Sequence, residues 1–73
     1  MSRNRLHVNK VDDFRDWLKS KGWTQVETKS CWEELRMTHP DHNTLIVHRK
    51  MKAEVHCTLH GISESMFTKW KNT

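Results

Sequence analysis

Apolar and polar positions along this chain follow two rhythms. Val11, Phe14, Trp17 and Leu18 recur at i, i+3, i+6 and i+7, which makes one apolar stripe on a helix. Asn9 stands before the stripe as an N-cap. Asp12, Asp13 and Asp16 lie towards the positive end of the helix dipole, while Lys19 and Lys21 suit its negative end. Gly22 is the expected stop, so the spacing predicts a helix over 10–21. The rhythm then changes. From Trp23 to Thr28, aromatic and β-branched residues alternate with polar ones, as in a half-buried strand.

Ser30 to Thr38 supports two readings. Cys31, Leu35 and Met37 share one face of a strand. Ser30 with Glu33 is also a capping-box pattern, under which Cys31, Trp32 and Leu35 share a helical face. The strand is preferred. His39 to Asn43 reads as a turn around Pro40. Strands follow over Thr44–Arg49 and Ala53–Leu59, joined by a basic hairpin tip at 49–52. If Leu45, Val47, Val55 and Cys57 face the core, His48 lies opposite Glu54 on the outer face. Gly61 ends the sheet, Ser63 caps a last helix, and Ile62, Met66 and Trp70 repeat every four residues towards the core. The result is an α+β class: helix, three- or four-stranded antiparallel sheet, helix. It forms a single domain over 9–73, preceded by a flexible basic arm at 1–8.

Composition narrows the function classes. With 73 residues there is room for one small core and none for a cleft between two lobes. Four Trp, two Phe and four Met can still fill that core, and Trp17 and Trp70 fall on helical apolar faces. No apolar run is long enough to cross a membrane, and no hydrophobic stretch follows the basic start, so the cytoplasm is the expected location. Cys31 and Cys57 read as reduced, buried thiols. Lys and Arg outnumber acids by 13 to 9, a balance that suits polyanionic partners.

The element order, with the string Leu18-Lys-Ser-Lys-Gly-Trp-Thr-Gln-Val-Glu-Thr-Lys29, resembles the HicA-like toxin family. Gly22-Trp23, Val26, His39-Pro40 and Val47-His48 follow that family's pattern in order over roughly residues 11 to 71. The resemblance implies a double-stranded-RNA-binding-like fold and contact with RNA. It does not carry the nuclease chemistry. The family's Gly-Ser-His motif is replaced by Ser30-Cys31-Trp32, and Trp32 cannot transfer a proton. His39-Pro40 also falls late, and the strand over Ala53–Leu59 is an addition.

Six histidines raise the question of chemistry. His39 with His42 and Cys57 with His60 have spacings that zinc sites use, but an inward Cys57 and an outward His60 would not converge. His48 or His56 could serve as a general base only beside a positioned partner. No catalytic residue, metal ligand or cofactor is assigned on these grounds. His48, Arg49, Lys50 and Lys52 cluster at the hairpin tip, with Lys29 and Arg36 extending the patch, as phosphate contact requires. The first expectation is therefore a non-catalytic nucleic-acid-binding protein, with RNA favoured. A second is a small inhibitor of the kind phages direct against host or defence proteins, docking through Trp32, Glu33 and Glu34. An atypical ribonuclease using another histidine is a third. A homodimer through a sheet edge stays open.

Overall fold

Five antiparallel strands in the order β1-β5-β4-β3-β2 form the sheet of the computed structural model, which describes residues 5–51 and 53–72. In chain order the elements are β1 (Arg5–His7), α1 (Val11–Ser20), β2 (Thr24–Val26), β3 (Glu33–His39), β4 (His42–His48), β5 (His56–Leu59) and α2 (Ile62–Lys71). The class is α+β, as the apolar pattern predicts, with five strands rather than three or four.

The additional strand comes from the segment expected to be an arm. Arg5–His7 pairs with β5, and Leu6 is buried opposite Cys57. One apolar residue in a polar stretch gives no period, so only the sheet edge beside it makes the strand. A 3₁₀ turn over Val8–Lys10 carries the chain into α1. Asn9 lies within that turn, and its amide donates to His7 Nδ1 at 3.1 Å, so Asn9 is not the N-cap of α1. At the far end of α1 the expected stop holds. Gly22 adopts φ +95°, its amide donates to the Lys19 carbonyl, and the Trp23 amide donates to the Leu18 carbonyl. These two bonds are a Schellman closure, which needs a left-handed residue at that position.

Both helices pack on one face of the sheet. Leu6, Leu35, Met37, Leu45, Val47, Cys57 and Leu59 point from the strands into a single buried cluster. The helices meet them with Val11, Phe14, Leu18, Met66 and Phe67, and Trp23 closes one end. Phe14 is the centre of this layer, its ring edge-on to Phe67 at 5.9 Å and tilted against Trp70 at 5.3 Å. Trp17 and Trp70 are half-buried supports of the cluster. On α2 the buried residues are Ser63, Met66 and Phe67. Ser63 does not occupy the N-cap position, which Gly61 takes. Its hydroxyl donates to the His60 carbonyl and accepts from the His60 amide, fastening α2 to β5.

Two sequence expectations fail at the start of β5. The strand begins at His56, and Val55 is exposed rather than part of the core. His48 consequently pairs with Thr58 and Glu33, not with Glu54. Cys31 precedes β3 in a turn and is exposed, whereas Cys57 is fully buried. Burial, with the nearby Glu34 charge adding to it, pushes the Cys57 thiol up to about 11. Among the described residues no helix is long and apolar enough to cross a membrane.

Truncation of Phe14 tests the dependence on one aromatic layer. Phe14→Ala should cost about 3–5 kcal/mol, comparable to the whole stability of a chain this small, and leave it largely unfolded. Phe14→Leu should lower the urea midpoint but retain a cooperative transition. In the native protein a chromogenic thiol reagent should modify Cys31 rapidly and Cys57 only after denaturation.

Candidate functional site

The site begins with a break in the β3–β4 register. Leu35 pairs with Val47, Arg36 with Ile46 and Met37 with Leu45, but Glu33 pairs with His48, one residue out of step. Strict alternation from Leu35 would point Glu33 into the core. The bulge instead places it with Arg36 and His48 on the opposite face, a re-aiming that bulges commonly perform. There the Glu33 carboxylate accepts from Arg36 Nε at 2.7 Å and from the Lys29 amide at 3.1 Å. Its side chain is only 6% exposed. The Arg36 hydrogen bond, reinforced by the Lys29 amide, holds the carboxyl below the ordinary 4.5 despite the opposing effect of burial.

These bonds fix the turn that presents Trp32. The Trp32 amide donates to Ser30 Oγ at 3.0 Å, the Glu33 amide to the Ser30 carbonyl at 3.2 Å, and the Arg49 amide to the Trp32 carbonyl at 2.6 Å. Although its backbone is tied on both sides, Trp32 remains 57% exposed. It lines a cleft of about 280 Å³ with His48, Lys50, Thr58 and His60. The His48 and His60 rings lie 5.8 Å apart, and His48 Nδ1 is buried with no hydrogen-bond partner among the described residues. Thr58 pairs with His48 across the strands, so the cleft lies on the sheet face without helices.

The remaining predicted site residues divide into two groups. Lys50 lines the cleft, while Lys29 is exposed in the turn that presents Trp32 and is not among the lining residues; among the described residues neither forms an ion pair. Lys52 falls outside the described residues. Arg36 is committed to Glu33. Arg49 braces the structure, donating from Nε to the Glu54 carbonyl at 3.0 Å and pairing with Glu34 at 3.4 Å. Both arginines therefore serve the fold, and the expected acidic pair Glu33-Glu34 is engaged with them. Sequence reasoning did not assign Thr58 and His60 to a site. The alternation that buries Cys57 and Leu59 would have turned both towards the same open face.

The other histidines form separate groups. His39 and His42 flank the Pro40-Asp41 turn with ring centroids 4.8 Å apart, and the His42 ring stacks on Trp23 at 5.4 Å. His39 Nδ1 accepts from the Asp41 amide. His56 meets His7 edge-on at 5.2 Å. Among the described residues no group of three potential metal ligands comes together. No protein-family model matches this chain, and no curated protein or solved structure matches it.

Because Glu33's folded value is depressed, its contribution to stability is present above the ordinary glutamate value and is lost as pH falls through the lower one. The urea midpoint should be level above the ordinary glutamate range and fall as pH drops below it. Glu33→Gln should lower the midpoint at neutral pH and flatten this acidic fall. An unchanged acidic limb in the variant would exclude Glu33 as its source.

Proposed function

We propose that this chain is a small non-catalytic nucleic-acid-binding module that uses the helix-free face of its sheet, with RNA favoured. The observation that carries the reading is Trp32. A large aromatic side chain is held out to solvent by a hydrogen-bonded turn, in a cleft with two histidines and Lys50, which has no ion-pair partner among the described residues. Exposed aromatics next to mobile cations are what single-strand binding surfaces combine, because every base has a π-face and every nucleotide a charge. The preference for RNA rests on the HicA-like resemblance. That resemblance also leaves Trp32 where the family places its cleavage histidine, which supports binding without strand scission.

The inhibitor reading shares Trp32 but is less well supported. Its acidic anchors are already paired within the chain, Glu33 with Arg36 and the exposed Glu34 with Arg49. The other residues of the Trp32 cleft are His48, Lys50, Thr58 and His60, none of them acidic, a better match to a polyanion than to a basic protein surface.

Fluorescence anisotropy with labelled single-stranded RNA at several salt concentrations tests the proposal. For about three phosphate contacts, log K should fall with log salt at a slope near −2. Lys50→Glu and Lys29→Glu should each weaken binding and make that slope shallower by roughly 0.7. Arg49→Glu is a poor probe, since it also removes the brace to Glu34 and Glu54. The RNA should remain intact after incubation. No binding at low salt would overturn the proposal and favour a protein partner.

A further inference from the structure

We infer that the cleft between Trp32 and the His48–His60 pair takes a single unpaired nucleobase, so that the module reads single strands and not duplexes. This rests on the nucleic-acid reading and specifies how that face would be used. At about 280 Å³ the cleft is at the small end of ligand pockets, a size for one base and its sugar rather than a helical groove. Its walls are flat and aromatic: the Trp32 indole and the imidazoles of His48 and His60. Thr58 supplies a hydroxyl that can donate to or accept from a base edge. Lys50 lines the cleft with a flexible cation for the phosphate of the same nucleotide.

Two further features favour a ligand over a merely exposed surface. The first is rigidity. The turn at 29–33 is closed by bonds from Lys29 to Glu33, Trp32 to Ser30 and Glu33 to Ser30, and Arg49 fastens it to the end of β4. An indole whose backbone is already fixed loses less entropy when a base stacks on it. The second is His48 Nδ1, buried and unpartnered among the described residues. Leaving a buried polar atom unpaired is costly, so a ligand that relieves it binds with that advantage. A paired base offers neither its faces nor its Watson–Crick edge, which excludes a duplex from such a cleft.

The test uses the full chain with short oligoadenylate, oligouridylate and a fully paired duplex of equal length, read by tryptophan emission and by anisotropy. Single strands should quench the emission of Trp32, and Trp32→Phe should abolish most of that quench. Trp32→Ala should weaken single-strand binding roughly 5- to 150-fold, the range that one base–aromatic stack accounts for. Trp32→Phe should weaken it less. Duplex binding should cause no quench and should change little in either variant. Single-strand binding that Trp32→Ala alters by less than about two-fold would overturn the inference while leaving the nucleic-acid reading intact. An equal quench by the duplex would do the same. If no nucleic acid binds at low salt, that reading fails and the inference with it.

Discussion

Two ten-residue helices are the whole covering layer available to this sheet. Each is about 15 Å long and about 10 Å across, whereas five strands span roughly 24 Å. Side by side the helices cover one face and leave nothing for the other. The fold therefore has one apolar layer, centred on Phe14, and one sheet face that must be compatible with water. The sequence meets this requirement strand by strand. β4 buries Leu45 and Val47 and turns His48 outward, while β5 buries Cys57 and Leu59 and turns Thr58 outward. Any ligand surface larger than a helix groove has to be built on the uncovered side.

The organisation of that face depends on Glu33. It is a carboxylate within a strand, and without the bulge it would point into Leu35's layer, where burying its charge would be prohibitive. With the bulge it becomes the acceptor that closes the turn before β3 and neutralises Arg36. The same turn orients Trp32. Glu34 does comparable work on the neighbouring strand end, where Arg49 joins it to the β4–β5 loop. The acids here stabilise local geometry, and the charge presented to solvent is left to lysines.

What could be read from the sequence follows from how local each signal is. The α1 stripe, the Gly22 stop and the inward alternation of Leu35, Met37, Leu45, Val47 and Cys57 are set by neighbours within a few residues, and all appear in the fold. The misplaced features depend on distant partners. β1 exists because β5 lies beside it, and nothing between Arg5 and His7 announces a strand. Val55 has the right spacing for the core, but the β4–β5 loop extends past it before pairing begins. The Arg49–Glu34 pair spans fifteen positions, so a basic cluster in sequence hid an arginine already engaged. Lys50 and Trp32 were visible as candidates. Their convergence with Thr58 and His60 required the strand order.

The same division between fixed and free groups bears on the choice of partner. Phosphates repeat along a strand, but their positions vary with sugar pucker and backbone torsion, so long mobile lysines meet them at little cost in specificity. A base is flat and rigid, and stacking energy falls away quickly when the two planes tilt, so its receptor gains from being held still. The face divides in this way: Lys29 and Lys50 carry no ion pair among the described residues, while Trp32 is presented by a turn bonded at several points. A protein-binding hot spot would favour a different arrangement, with its aromatic anchor ringed by groups that exclude water. Here Trp32 shares its cleft with His48, Lys50, Thr58 and His60, groups that favour water rather than exclude it.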